Sequence, residues 1–385
     1  MDDAARARAG GGSAIAVIMA ASLLSMFDRS TMPPMLEAMA DGLGASIGQI
    51  GAALTVFSIA YAASQLPWSI ASARLGQVRV LRIALAIGVV GAIVTAVAID
   101  PVLLWGGRIL AGVALGAIMP AALVYVGDTV AIATRSRTLA NLATVSSLGM
   151  TAAVVVASVL GSIGAWRWVF IITAVAETTV LVLLLRVPAG ARPSNPRPFL
   201  ASLGRVLTDR WVVLVLVLVA IEGAMLFGVM GYLPTALSSE GAAPLVAGIV
   251  TGLYGVAVIV TAQLMKPALH RVPPWALLAV GGGAIIVAFT TVAISTTIVT
   301  VLVASGLLGV AWAAGHTQLQ HWVTDAVSRD RPVGTAAFST SLWLGGAGGA
   351  AVGAAVAVGG SFPALFAATA ALAVVFATVG AMVPA

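Results

Sequence analysis

Long apolar runs alternate with short polar breaks along the whole chain. Twelve runs approach the roughly 20 apolar residues that a helix needs to cross a bilayer. They lie near 13–35, 46–68, 79–99, 102–126, 139–162, 167–186, 211–234, 244–265, 275–295, 297–321, 334–357 and 361–383. The runs are continuous rather than alternating, which predicts helices and argues against a β-barrel. Most breaks are too short for a soluble domain. The longest, Arg186 to Arg210, holds Pro188, Pro193, Pro196 and Pro198 and divides the runs six and six. The expected organisation is an N-terminal half (1–186), a central loop (187–210) and a C-terminal half (211–385).

The halves resemble each other. Pro34 to Gln65 and Pro234 to Gln263 each run from a proline closing an odd-numbered span to a glutamine late in the next, at a shift of 198–200 residues. Gly112–Asp128 matches Gly309–Asp325 at a shift of 197, and Leu148-Gly149 matches Leu344-Gly345 at 196. Apolar helices resemble one another by chance, so one match means little; three in nearly one register indicate duplication. The predicted fold class is an all-α membrane protein of twelve transmembrane helices in two pseudo-symmetric six-helix bundles, an architecture typical of secondary transporters.

Composition supports this. Of 385 residues, 61% are hydrophobic and 8% charged, and the mean hydropathy is +1.10. A soluble domain carries about 25% charged residues. An ordinary soluble enzyme, a disordered chain and a nucleic-acid binder are excluded, despite a net charge of +6. Sixteen of the 19 Lys and Arg residues fall on one side: at Arg6 and Arg8, Arg74 to Arg82, Arg135 and Arg137, Arg186 to Arg210, Lys266 and Arg271, and Arg329 and Arg331. The opposite loops hold Arg167 and the acids Glu37, Asp41, Asp100 and Glu240. The positive-inside rule then makes both termini cytoplasmic, as an even span count requires. Without cysteine there is no disulfide, thiolate metal site or cysteine nucleophile. The first run lacks a following cleavage site and reads as a retained span.

Several stretches carry a family likeness. After span 2, Arg74, Gly76, Arg79 and Leu81 match a GxLaDRxGRrrvL motif, with Ala73 at its acidic position. Arg108 and Gly112 match RxxxG in span 4. Trp166-Arg167-Trp168-Val169-Phe170 matches a W-R-W-x-F stretch, although Ala157 to Ser162 lacks most of the GPxxGG that precedes it in antiporters. Gly315-His316-Thr317-Gln318-Leu319-Gln320 and the glycines of span 11, Gly345 to Gly353, match two further stretches. On these residues the chain resembles the major facilitator superfamily, in particular its drug and small-solute exporter branch (drug:proton antiporters). The resemblance implies a central cavity lined by spans 1, 4, 7 and 10, and a gate at Arg74, Gly76 and Arg79.

A charge at the centre of a span costs about 2.5–3.5 kcal/mol, so each one needs a reason. Five stand out: Asp28, Arg29, Arg108, Glu177 and Glu222. Asp28 and Arg108 lie at similar depth in spans 1 and 4, and in the resembled fold, where both spans line the cavity, they would face each other across it and pair, either as a proton-coupling switch or as a permanent link between helices. Arg29 points elsewhere and lies near an interface, where snorkelling to backbone oxygens competes with substrate contact. Glu222 sits mid-span among Met225, Leu226, Val229 and Met230, where an ionised carboxylate is costly and an exchangeable proton useful. Glu177 is equally central in span 6, a peripheral helix in the resembled fold, and is adjacent in span order to Glu222 for a shared network. The proton-coupling candidates are therefore Asp28, Glu222 and Glu177.

The substrate-binding candidates are Arg29, Tyr61, Gln65, Arg108, His316 and Gln318. Tyr61 and Gln65 share one face of span 2 with Phe57, suited to an amphipathic solute or to helix–helix hydrogen bonds. His316 suits either a proton sensor or a bond to a loop carbonyl. Trp312, Trp343, Tyr232 and Tyr254 are further lining candidates. His316 and His321 do not share a face, and no HExxH or other metal spacing occurs. No cofactor is expected, and without GxxxxGK[ST] any pumping draws on an ion gradient.

The function expected is secondary active transport of a small organic solute by alternating access, not enzymatic catalysis, with proton-driven export leading. Uptake of a small organic anion held by Arg29 or Arg108 is the alternative, and a non-transporting scaffold or sensor is a reading of another class. The expected partners are a small-molecule substrate, protons and the lipid bilayer, with no nucleic acid, in a monomer of the plasma (bacterial inner) membrane.

Overall fold

The computed structural model describes residues 2–189, 199–265, 272–327 and 331–382. Arg192, Arg197, Lys266, Arg271 and Arg329 lie outside them, as do residues 190–198 of the central loop. The regular elements among the described residues are all helical. Twelve helices are long and apolar enough to cross a membrane: Ser13–Leu43 (span 1), Ile47–Leu75 (2), Gln77–Ala96 (3), Pro101–Thr129 (4), Arg137–Ser162 (5), Arg167–Leu185 (6), Arg210–Ser239 (7), Pro244–Met265 (8), Trp275–Ile294 (9), Ile298–Val323 (10), Val333–Gly359 (11) and Phe362–Gly380 (12). Their exposed faces carry large apolar side chains such as Val90, Val175 and Val287, which only a lipid environment accommodates. One stretch read as loop is ordered differently: Phe199–Thr208 is a short helix beside spans 7 and 11, with Val206 buried.

The sequence sets several helix ends. The Asp100 carboxylate accepts from the Leu103 amide at 2.8 Å, so this loop acid caps span 4. Asp209 accepts from the amides of Trp211 and Val212 at the start of span 7. Thr297 and Thr300 form a reciprocal capping box before span 10.

The duplication is visible in backbone detail. Left-handed glycines terminate helices at Gly44 and Gly241, and again at Gly164 and Gly360, shifts of 197 and 196. The caps Asp100 and Thr297 are also 197 apart. Gly112 of span 4 packs on Phe57 O, the Ala60 side chain and Tyr61 N of span 2; Gly309 of span 10 packs on Tyr254 O, the Ala257 side chain and Val258 N of span 8. Every partner is displaced by the same 197 residues. Likewise Gly149 of span 5 lies against Leu23 O of span 1, and Gly345 of span 11 against Ala220 O of span 7.

The two bundles meet through spans 2 and 11 and through spans 5 and 8. Gly48 and Gly51 of span 2 receive Val358, Ala354 and the Tyr232 hydroxyl, while Gly248, Gly252 and Gly255 of span 8 receive Ser158, Val154 and Thr151 of span 5. These contacts lie toward the side opposite the chain termini, here called the far side. Three cavity-side helices are irregular. Span 1 narrows to a 3₁₀ turn at Pro33–Met35. Span 7 passes through a π turn at Ala224–Gly228 and a 3₁₀ turn at Val229–Tyr232. Span 10 carries a π turn at Trp312–His316.

The glycine contacts generate a paired expectation. A Cβ at Gly309 meets Ala257 Cβ at 2.5 Å and Tyr254 O at 2.9 Å, and one at Gly112 meets backbone of span 2, whereas Gly106 and Gly306 have open space. Gly112→Val and Gly309→Val should each destabilise by about 1–3 kcal/mol through overpacking. Gly106→Ala and Gly306→Ala should be neutral or stabilising by up to about 1 kcal/mol. Thermal unfolding of the purified protein reads the difference; equal melting of the two sets would contradict the packing.

Candidate functional site

Among the described residues, each bundle encloses one acid–base pair. In the first, Arg108 Nη1 donates to Asp28 Oδ1 at 2.8 Å, with both side chains almost entirely buried. The guanidinium also lies over Phe57 and Phe170, at 5.0 and 5.5 Å from the ring centroids. Glu177 of span 6 stands within electrostatic reach of both partners. It is fully buried, and neither of its oxygens, nor Arg108 Nε, has a hydrogen-bond partner. Gly88 of span 3 makes room for it, since a Cβ there comes within 2.8 Å of Oε2. A nominally peripheral helix thus turns its carboxyl inward to the Asp28–Arg108 pair.

In the second bundle, Glu222 Oε2 meets His316 Nδ1 at 2.9 Å. The sequence offered His316 a loop carbonyl or a sensing role; its partner is a carboxyl group 94 residues away. The imidazole stacks on Trp312 at 3.6 Å with an interplanar angle of 14°. Both residues lie in the π turn of span 10, and Glu222 stands two residues before that of span 7. Such turns recur at functional sites because they re-aim side chains that a straight helix would direct elsewhere. Glu222 and Glu177 therefore belong to separate clusters.

An aromatic layer lies between the clusters. Trp312 meets Phe227 edge-on at 5.1 Å, Phe227 stacks on Trp343 at 5.3 Å, and Trp343 lies 4.0 Å from Tyr61 and 5.8 Å from Phe57. A cavity of about 110 Å³ opens against this layer, where spans 1, 2, 5, 7, 8, 10 and 11 converge. Its lining includes Arg29, Ser30, Phe57, Ser58, Met150, Phe227, Met230, Tyr254, Ser305 and Trp343. A vestibule of about 460 Å³ on the far side contains Glu37 and Asp41 and shares Pro33, Pro34 and Pro234 with the cavity. Those prolines form the partition between the two spaces.

The candidates separate sharply here. Arg29 does not snorkel: it turns into the cavity, its guanidinium carbon 4.5 Å from the Phe227 centroid and 4.9 Å from that of Trp343. Among the described residues it is the only charged one in the lining. Span 4, expected to face the cavity, contributes nothing to this lining, because Arg108 is committed to Asp28 inside its own bundle. Gln65 is also turned away, its Nε2 donating to Gly116 O at 3.1 Å. Tyr61 is buried under Trp343. His316 and the half-buried Gln318 lie outside the lining as well. At the expected gate, Arg74 is exposed, Gly76 (φ 82°) turns span 2 into span 3, and Arg79 bonds Leu75 O at 3.0 Å. Arg82 reaches further, to Leu184 O, Leu185 O and Val187 O at the end of span 6. Trp166 and Phe170 pack edge to face, and Arg167 bonds Ala98 O; the W-R-W-x-F stretch thereby fastens spans 3 and 6 together.

Sequence reasoning missed Phe227 and Ser305. Ser305 carried a signal, for it stands 197 residues after Arg108, the repeat shift itself, and its buried Oγ has no partner. Phe227 carried none, since its direction depends on the π turn.

The architecture is shared with known transporters. The nucleoside transporter NupG superposes with a TM-score of 0.76 at 16% identity, over 96% of this chain and 98% of that one. A D-xylose-proton symporter superposes with a TM-score of 0.75 at 15% identity, over 95% and 96%. Identities this low establish a common fold alone. No curated protein sequence matches the chain. The family model described as Major Facilitator Superfamily matches residues 18–314. With twelve helices in two pseudo-symmetric bundles around a central cavity, the chain belongs to the major facilitator superfamily, whose members move small solutes across membranes.

Proposed function

We propose that this transporter carries its solute together with protons, by symport, through alternating exposure of the central cavity. One observation carries the reading: among the described residues no carboxyl group lines the cavity, while three buried carboxyls stand apart from its lining, at Asp28, Glu177 and Glu222. In an exchanger of the drug:proton type, substrate and proton compete for one site. Here the solute would occupy the cavity while protons occupy the clusters, so both can be bound together. Export by antiport, the direction implied by the sequence likeness, would need a carboxyl in the cavity wall.

In this reading Glu222 and His316 hold and release one proton between them. The group of Asp28, Arg108 and Glu177 has two carboxyls for one guanidinium, which leaves a place for another. Arg29 and the aromatic layer bind the solute. The halves, 1–186 and 211–385, rock about the central loop 187–210, with Arg74, Gly76 and Arg79 shaping the cytoplasmic end. The positive-inside distribution supports cytoplasmic termini in a plasma (bacterial inner) membrane. A monomer suffices, since one chain supplies both halves of the cavity. The second structurally similar protein, a D-xylose-proton symporter, supports this direction.

Two measurements follow. Glu222→Gln keeps the shape and a hydrogen bond to His316 but cannot carry a proton. Proteoliposomes given a mixed panel of organic acids, sugars and nucleosides should accumulate the transported solute when the outside is made acidic. The Gln variant should still equilibrate that solute but not concentrate it. Undiminished concentration by the variant would remove Glu222 from coupling, and accumulation only with the opposite pH step would replace symport by antiport.

The second measurement concerns the pair that orders the first bundle. Removing one partner of a buried ion pair costs about 3–5 kcal/mol, because the other charge is left unpaired. Arg108→Gln and Asp28→Asn should each lower thermal stability markedly, while the double variant should recover a large part of the loss. Strictly additive losses in this double-mutant cycle would show that the two side chains do not interact.

A further inference from the structure

We propose that the cavity is a carboxylate site, in which Arg29 holds the anionic group of a small, flat organic acid and the rings of Phe227 and Trp343 hold its body. This deepens the symport reading and rests on it for coupling, but not for binding.

The first argument is charge. Arg29 has no hydrogen bond or ion pair with any described residue, and no acid lines its cavity. Asp28, its neighbour in sequence, is bound to Arg108. The rings at 4.5 and 4.9 Å stabilise the cation through their π faces. They accept none of the guanidinium's five N–H donors. Arg29 is only partly buried and its donors face the cavity, where a carboxylate can meet the planar fork with two parallel bonds.

The second argument is the shape and chemistry of the remaining wall. The cavity volume of about 110 Å³ equals the share of liquid occupied by roughly four water molecules, which limits the ligand to a compact molecule in this conformation. Phe57, Phe227 and Trp343 present ring surfaces, suited to a planar apolar body. Ser305 also belongs to the lining, and its buried Oγ has no hydrogen-bond partner among the described residues, so a polar substituent that reached it would find a free hydroxyl.

The third argument comes from the duplication. The position equivalent to Arg29 at the shift of 197 is Leu226, and the one equivalent to Arg108 is Ser305. The two halves therefore contribute different chemistry: the cation comes from the first, and Phe227, Trp343 and the Ser305 hydroxyl from the second. A bound acid touches both halves at once. That is what a ligand must do if its binding is to bias their relative positions.

Benzoate is a suitable probe, with benzamide as its neutral isostere, benzylamine as a cation and acetate as an anion without a ring. Each is titrated into the purified protein at fixed pH with no gradient, read by intrinsic tryptophan fluorescence and by thermal shift. Benzoate should bind saturably and at least about tenfold more tightly than the other three. Arg29→Gln should weaken it by a further tenfold to hundredfold, in the range expected for charged hydrogen bonds. Arg29→Lys, which keeps the charge without the fork, should fall between. If Arg29→Gln does not fold, the Arg29→Lys loss and the benzoate–benzamide difference decide. Equal binding of benzamide or benzylamine, an unaltered benzoate affinity in Arg29→Lys, or no binding of benzoate would each overturn the assignment. Because no gradient is imposed, a failure of symport leaves this result untouched, and a failure here leaves the pH-step experiment standing.

Discussion

A charged side chain inside a bilayer-spanning bundle must find a partner within the bundle, and the placement of the other helices follows from how that demand is met. Arg108 is withdrawn almost completely from solvent and is held by Asp28 at 2.8 Å. Satisfying it draws span 4 against span 1 and takes span 4 out of the cavity wall. Gly88 is small enough to admit Glu177 beside the pair. The same demand is met differently in the other half, where the Glu222 carboxyl meets the His316 imidazole at 2.9 Å. One bundle thus pairs its carboxyl with a guanidinium and the other with an imidazole.

Arg29 is the exception that gives the cavity its character. Its charge faces open space and aromatic rings rather than a carboxylate. The aromatic layer from His316 through Trp312, Phe227 and Trp343 to Tyr61 and Phe57 is continuous across both halves. Ring stacking is directional but adaptable, so this layer can maintain contact while the halves shift. The irregular turns of spans 7 and 10 border it, which places the least regular backbone of the bundle where movement is needed.

Much of this was legible in the sequence for definite reasons. Bilayer thickness makes spans countable, and duplication makes a shift of 196–197 visible in glycines that later prove to be packing positions, such as Gly112 and Gly309. The Asp28–Arg108 pairing followed from matching depth together with the family resemblance, which set the two residues across the cavity; the structure keeps the pair but places it away from the cavity lining. The Glu222–His316 pair was hidden, because two π turns redirect its helices and the partners are not related by the repeat. Arg29 was misjudged toward the interface: counting residues gives depth, but the facing of one side chain depends on the 3₁₀ turn that follows at Pro33–Met35. Gln65, left by its spacing with Tyr61 between a binding wall and a helix–helix hydrogen bond, makes the second, to the Gly116 carbonyl of span 4; helical period cannot distinguish such a packing contact from a lining position.

The central claim is that solute and proton occupy different places at the same time. Symport further requires each to favour the other, and linkage makes that coupling reciprocal. The most direct measurement is proton exchange on binding: benzoate, already ionised at pH 7, is added to the purified protein in weakly buffered solution and the change in pH is recorded. The account predicts proton uptake that saturates with the binding curve and is lost in Glu222→Gln or diminished in Asp28→Asn. Proton release on binding, the signature of competition for one site, would contradict it.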